Sequence, residues 1–401
     1  MLPAVMRIAR VLTRLNLGGP AAQVLGSDPL LAERGHTVRV FAGTAEAGEG
    51  DLFETAQRRG LDVRRVPGLA RGLAPVGNLR AAAWLGRELA AFGPDLVHTH
   101  ASKAGWIGRR AARVLPRTAR VHTFHGHVLE GYFPAPVARR LVRMETDLAR
   151  ETDRIVAVSH ATADDLVRLG VCTEDQLVVV PPGIDLAPFL GLPLLRQRNQ
   201  DVGPLRRTMG AASTDVVVGV IGRLAPVKQP EVALAAFSLL GNRYRTLHMA
   251  FVGDGTERRA LERAINALPE GVRERAHLLG AREGIASILA ELDSVLLSSR
   301  TEGLPVALIE AGAAGLPVVA FGVGGVEELV MHERTGIVVA PDAGSDGLAF
   351  ALAQLLEDRR GAAAMGERAR LRVAARHGAP ALADRLEAVY QSALEVRKCA
   401  S

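Results

Sequence analysis

Two α/β domains in tandem, each wound on a parallel sheet, are the fold this sequence predicts, and three observations carry the prediction. Short apolar runs rich in Val and Ile alternate with longer stretches of Ala, Leu and Arg at helical spacing, the pattern of repeated β-α units. The alternation runs twice, once on each side of a polar segment at 191–203 with interspersed Pro and Gly. At 401 residues, finally, the chain exceeds what a single core usually supports.

In the first half, strands are predicted at 8–12, 38–42, 96–99, 120–123, 154–158 and 177–180. Helices fall between them at 21–34, 80–92 and 104–114, where apolar residues recur at three- and four-residue spacing, and Gly35 stops the first. The turn Pro181-Pro182-Gly183 closes this half. The second series has strands at 216–221, 247–252, 277–279, 294–297, 317–320 and 337–339, and a last helix at 379–396. The domains are thus 1–190 and 213–378, with a linker at 191–212. No short-period repeat is visible, which argues against solenoids and propellers.

The chain is 48% hydrophobic and 23% charged, the make-up of a globular protein. Aromatic residues, at 4%, are too scarce for stacking single-stranded bases or for aromatic sugar platforms. The net charge of +6 comes from Arg spread along the chain, with local concentration at Arg109, Arg110, Arg113, Arg117 and Arg120 and at Arg139, Arg140 and Arg143. A solvated basic face explains this, and so does a phosphate-rich partner or an anionic membrane. No nucleic-acid module accompanies the charge, so nucleic acid is not expected as a partner. Cys172 and Cys399 lie far apart, which indicates neither a disulfide framework nor a zinc site and fits a reducing cytoplasm. Arg7, Arg10 and Arg14 break any signal-peptide core at the N-terminus, and no later run has the apolar length to cross a bilayer. Contact with a membrane would be peripheral, at its inner face.

In open parallel sheets ligands bind at the carboxyl ends of the strands, where loops and helix N-termini converge. Glycines and unusual polar residues collect there in this sequence. After the first strand, Gly18-Gly19 runs straight into a helix; the pair is either a tight turn or a phosphate-binding one, since a helix start offers free N–H groups. His98, His100, His122 and His125 end two strands. A zinc site is disfavoured because no cysteine or clustered carboxylate completes a set, and His125, followed by Gly126, reads as a neutral hydrogen-bonding or proton-handling group. His98 and His122 read as sheet residues. In the second half, Gly222-Arg223 follows a strand and Lys228 comes five residues later, a fork and a point charge suited to a departing diphosphate. Glu302 and Glu310 stand one before a helix and one inside it; eight positions along a helix would turn both carboxylates to a similar side.

The ordered set Gly18-Gly19, His125-Gly126, Gly222-Arg223 with Lys228, Val252-Gly253-Asp254-Gly255, Leu279-Gly280, and Glu302 with Glu310 resembles family 4 of the retaining glycosyltransferases over nearly the whole chain. The resemblance implies the GT-B fold, two Rossmann-like domains with parallel sheets facing a central cleft. It implies an N-terminal acceptor-binding domain, a C-terminal donor-binding domain, and a final helix, 379–401, that crosses back to the first. By the same resemblance, Gly18 and Gly19 place backbone at the donor diphosphate, which Arg223 and Lys228 also hold. Glu302 and the backbone of Gly303 and Leu304 hold the transferred sugar, Glu310 the ribose, Gly280 and Arg282 border the base, and His125 contacts the sugar or the acceptor hydroxyl. Where many relatives carry Glu two places after the second glycine, this chain has Ala21, with Gln23 further on.

The expected activity is therefore transfer of a sugar, with retention, from a nucleotide sugar to a sugar or lipid-linked acceptor or a polysaccharide precursor of the cell envelope. UDP-sugar is the family default. No Asp-x-Asp motif occurs, so neither a metal nor any other cofactor is expected. The family's proposed chemistry is front-face substitution, in which the leaving phosphate takes the acceptor's proton. Two competing readings remain at this stage, a GT-B epimerase acting on a nucleotide sugar without acceptor and a non-catalytic nucleotide-sugar binder.

Overall fold

The computed structural model describes residues 5–46, 50–70, 75–126, 129–130, 133–193 and 202–400. Part of the expected linker, 194–201, lies outside the described residues. The chain divides into two compact units, one of Met1–Asp185 with Gly378–Ser401 and one of Leu186–His377.

The first unit is built on seven parallel strands: β1 (Arg7–Leu12), β2 (Thr37–Ala42), β3 (Asp62–Arg65), β4 (Leu96–His100), β5 (Ala119–Phe124), β6 (Arg154–Ala157) and β7 (Leu177–Val179). Their order across the sheet is β3-β2-β1-β4-β5-β6-β7. The second carries six: β8 (Val216–Ile221), β9 (Leu247–Val252), β10 (Ala276–Gly280), β11 (Ser294–Leu297), β12 (Val318–Phe321) and β13 (Ile337–Val339), ordered β10-β9-β8-β11-β12-β13. Most of these strands are buried on both faces, which is why they read as continuous apolar runs. Registers such as Ile8 opposite Val38 and Val217 opposite His248 fix which residues end each strand.

The twelve expected strands are all present, and one strand was missed. β3 has the sequence Asp-Val-Arg-Arg, with a single apolar side chain, and it sits at the sheet edge, where Arg39 pairs with Asp62 across from β2 at 2.6 Å. An edge strand needs only one paired rim, and charged side chains guard the other. Helix starts also differ from expectation. The first helix begins at the glycine pair, as Gly19–Glu33, the helix expected from residue 80 begins at Pro75, and a short helix not expected, Phe53–Arg58, lies between them. Helix Pro204–Met209, within the expected linker, belongs to the second unit, where Arg206 bonds Asp293 at 2.6 Å.

The last helix, Ala379–Ala400, is part of the first unit. Leu382, Leu386, Val389 and Tyr390 pack in one core with Met6, Ile8, Leu96 and Val121. Arg34 bridges Asp384 and Glu387, and Arg397 bonds Asp153 at 2.8 Å. Burial of each large apolar side chain contributes about 1.5–3 kcal/mol, so the apolar face supplies most of the hold and the ion pairs at its rim fix its placement. In the second unit Phe237, Phe251, Met249, Leu296 and Leu352 form the corresponding centre.

Candidate functional site

Each sheet reverses its winding direction once, between β1 and β4 in the first unit and between β8 and β11 in the second. At such a point neighbouring loops diverge and leave an opening at the strand carboxyl ends, where ligands bind in open α/β sheets. Two strand-tip sites result, one in each unit.

In the second unit β8 ends at Ile221 and the chain passes through Gly222 and the half-buried Arg223 into a single turn, Pro226–Lys228. The turn is held from β11: the Ser298 hydroxyl lies 2.9 Å from the carbonyls of Lys228 and Gln229, and the Arg300 N–H donates to the Val227 carbonyl at 2.8 Å. Gln229 takes up φ of 45°, an unfavourable value for a residue with a side chain, immediately after the lysine. Lys228 Nζ then meets Glu302 Oε1 at 2.5 Å, with the two side chains 28% and 10% exposed. The structure thus brings together the cation expected at a diphosphate and the carboxylate expected at a sugar.

Glu302 and Gly303 are supported from behind by the loop after β12. The Gly325 N–H donates to the Gly303 carbonyl at 2.8 Å, and Gly324, at φ of 52°, packs so closely that a side chain would collide with the Glu302 carbonyl. Leu304, 7% exposed, leads through Pro305 into helix Val306–Ala313, whose first turn has no side-chain cap. Glu302 therefore lies outside that helix, and the expected helical alignment of the two glutamates does not apply; the turn, and not helical spacing, sets the Glu302 direction. Glu310 is on the helix, half-buried, and no cation among the described residues pairs with it. Burial pushes its carboxyl up to about 7. Gly280, at φ of 72°, ends β10 and accepts from the Gly253 N–H at 2.9 Å, while Arg282 is exposed with Nε donating to the Leu279 carbonyl at 3.0 Å.

In the first unit, Gly18 caps helix Gly19–Glu33 in an extended conformation, φ −175°, which any residue adopts. The glycines serve by what they omit: no side chain caps the helix start and no acidic residue occupies its first turn, so its N–H groups and positive dipole end stay available to an anion. Gln23, one turn into the helix, donates from Nε2 to the Gly19 carbonyl at 3.3 Å, and the same nitrogen lies 3.5 Å from His125 Nδ1. His125 thus stands beside the glycine turn. Its Nε2 is 2.9 Å from His100 Nδ1, and burial, then Arg10, push its ring down to about 3, so it is neutral near pH 7. His98 and His122 are fully buried sheet residues bonded to Thr123 and Thr99. Among the described residues no three His, Cys, Asp or Glu side chains are arranged to hold a metal ion.

Comparison with known proteins places the chain in a family. Residues 28–188 match the family model described as Glycosyltransferase Family 4, and residues 215–358 match that of Glycosyl transferases group 1. A D-inositol 3-phosphate glycosyltransferase of Nocardia farcinica is 32% identical over 378 residues, 88% of this chain and 80% of that protein. This chain is a family 4 glycosyltransferase. An Escherichia coli enzyme, UDP-Gal:alpha-D-GlcNAc-diphosphoundecaprenol alpha-1,3-galactosyltransferase, is 28% identical over 277 residues, 68% of the transferase and 70% of the relative. Among solved structures, Anabaena HepE in complex with UDP-glucose superposes with a TM-score of 0.80 over 96% of this chain and 100% of that one, at 22% identity, which shows the shared GT-B fold.

Several residues of the transferase that brace these groups were not singled out for the site in the sequence: Gly324 and Gly325 behind Glu302, Ser298 behind Lys228, and Arg10 and Tyr390, which with the strand-end His100 stand behind His125. The run Phe321-Gly322-Val323-Gly324-Gly325, glycines just after a strand, was the available signal for the first pair. The arginine clusters also divide differently from their spelling. Arg109 is 1% exposed and pairs with Glu145, while Arg113 and Arg120 both reach Glu151. Those three are structural. Arg139, Arg140 and Arg143 stand exposed on helix Ala135–Ala149.

Proposed function

We propose that the transferase moves a sugar from a nucleotide sugar, UDP-sugar in the first instance, to an acceptor hydroxyl with retention of configuration and without a metal. The observation that carries this reading is the Lys228–Glu302 pair on its braced turns at the β8 and β11 tips. Arg223 and Lys228 hold the diphosphate, Glu302 with the backbone of Gly303 and Leu304 grips the sugar, and Glu310 accepts the ribose hydroxyls. Gly280 and Arg282 border the base. Gly18 and Gly19 offer N–H groups to phosphate, and His125 meets an oxygen of the sugar or acceptor.

In the reaction the bond from the anomeric carbon to the leaving phosphate breaks and a bond to the acceptor oxygen forms on the same face. The acceptor's proton passes to the departing phosphate oxygen. Charge grows on the diphosphate, and two fixed cations there stabilise the transition state more than the ground state. In the ligand-free protein Glu302 neutralises Lys228; an arriving donor gives each ion a new partner, so little uncompensated charge is created on binding.

The relatives are named for an inositol phosphate and a lipid diphosphate, both anionic acceptors. That chemistry, with the exposed Arg139, Arg140 and Arg143, supports an acceptor carrying phosphate, at a membrane surface when it is lipid-linked, in assembly of a cell-envelope glycan.

Thermal-shift measurements with UDP-, GDP- and ADP-sugars test the donor, because a ligand that binds only the folded state raises its stability. Proton NMR of the product then reads the anomeric configuration, in buffer with and without EDTA. A UDP-sugar shift, a product of unchanged configuration and indifference to EDTA are expected. No shift with any nucleotide sugar overturns the donor, an inverted product overturns the mechanism, and a changed sugar formed without acceptor makes the enzyme an epimerase.

A further inference from the structure

Behind His125 lies a buried chain of hydrogen bonds whose directions can be worked out. Arg10, on β1, is 1% exposed and bonds outward from two nitrogens. Its Nη1 donates to Asp28 Oδ1 at 2.9 Å and to the Tyr390 hydroxyl at 3.0 Å, and its Nε donates to His100 Nε2 at 3.1 Å. His100, 3% exposed at the tip of β4, turns its other nitrogen, Nδ1, to His125 Nε2 at 2.9 Å. The two rings lie 5.2 Å apart with 23° between their planes.

A guanidinium nitrogen carries protons and no lone pair, so every bond it makes is a donation. His100 Nε2 is therefore an acceptor. A neutral imidazole has one N–H, so the His100 proton is on Nδ1 and points at His125 Nε2, which must accept. The His125 proton is left on Nδ1, on the side of Gln23 and the Gly19 carbonyl. The opposite direction would require His100 to have no proton at all. Other groups facing these rings are His98, whose ring centre is 4.2 Å from that of His100, His122, Asp28 and Tyr390. Burial and the Arg10 charge both depress the two rings, which keeps each of them neutral.

We propose that Arg10 and His100 are positioning residues that lock His125 in its Nδ1–H form, so that it meets the substrate as a hydrogen-bond donor and cannot take up a proton there. Gln23 Nε2 is held by the Gly19 carbonyl and is itself a donor, so its 3.5 Å approach to His125 Nδ1 sets two N–H groups side by side. An oxygen with free lone pairs, from a sugar hydroxyl or a phosphate, is the chemistry that satisfies both. The inference rests on the proposed function only for the identity of that oxygen. It also deepens it, because a ring with no lone pair toward the substrate leaves the departing phosphate as the proton's destination.

The test is long-range 1H–15N correlation of the imidazoles in the full chain labelled with 15N-histidine at pH 7, with His100→Gln and His125→Gln spectra for assignment. Both rings should show Nδ1 protonated and Nε2 bare. His125 protonated on Nε2, or doubly protonated, overturns the proposal whatever the enzyme's substrate proves to be. In a second arm, His100→Leu removes the donor to His125, while His100→Gln keeps an oxygen for Arg10 and an N–H for His125. With UDP-glucose turnover as the probe, His100→Leu should lower kcat about tenfold with KM within twofold, shift His125 toward Nε2–H, and be rescued to within threefold by Gln. Equal losses in the two variants with an unchanged His125 tautomer overturn the positioning role. Absence of turnover with every nucleotide sugar would sink the proposed function alone, and the spectra would still decide the tautomer.

Discussion

The tips of the two sheets are built alike and charged differently. At β4 and β5 the groups beside the glycine turn are neutral rings, His100 and His125, backed by an ion pair, Arg10 with Asp28, that is 1% and 0% exposed. At β8 and β11 the groups are themselves ions, Lys228 and Glu302, and solvent reaches both. Depth accounts for the difference in what each can do. A deeply buried charge cannot change partner without a large desolvation cost, so it can fix the direction of a hydrogen-bond chain but cannot follow a substrate. A partly exposed pair is weakly bound in water and can exchange partners as a ligand arrives.

The comparison is sharpest where one member of the deep pair is removed. Asp28→Ala leaves Arg10 buried without its carboxylate and should cost about 3–5 kcal/mol of stability, measured by urea unfolding. A loss under about 1 kcal/mol would mean that the pair is not what holds the network. Next in size, Lys228→Ala or Arg223→Ala should lower kcat by roughly a hundredfold, about 2.7 kcal/mol, with the unfolding midpoint nearly unchanged. Near-normal turnover in both would contradict an ionic role at the diphosphate.

Glu310 sits between the two extremes, a carboxyl with no cation beside it among the described residues, which burial pushes up to about 7. Because this value is raised above that of the unfolded chain, the group's contribution to stability is full below about pH 4.5 and is lost as pH rises toward about 7. Donor binding has the opposite sign: ribose hydroxyls donate to the carboxylate, so KM for the donor should rise as pH falls below about 7. Glu310→Gln should raise that KM about tenfold at pH 8, flatten its pH dependence, and make the ligand-free protein more stable by on the order of 1–2 kcal/mol. Steady-state kinetics from pH 5.5 to about 8.5 and thermal melts check both halves. The smallest effect belongs to the surface. Arg140→Ala should weaken binding to anionic vesicles by about 1 kcal/mol, roughly fivefold, and only at low salt. Co-sedimentation that ignores the substitution would remove that helix from the membrane-facing surface.

Much of this was legible before any coordinates. Strands that pack into a sheet carry runs of Val, Ile, Leu and other apolar residues, so all six of the second unit and six of the seven in the first announce themselves, and glycines after β1, β8 and β9 mark the tips. β3 did not, because an edge strand with one apolar side chain has no pattern to show. The residue types of the sites were legible too: a glycine pair, a histidine, two cations and two glutamates.

What only the tertiary structure decided is which of these groups touch. Lys228 and Glu302 are 74 residues apart in sequence, Arg10 and His100 are 90 apart, and Arg10 and Tyr390 are 380 apart. Sheet order makes them neighbours by setting β4 beside β1 and β11 beside β8, and the last helix is laid against the first unit. Local propensity acts over a few residues and a hydrogen bond over about 3 Å, so pairing at these separations, and with it the charge state of each group, exists only once the sheets have closed.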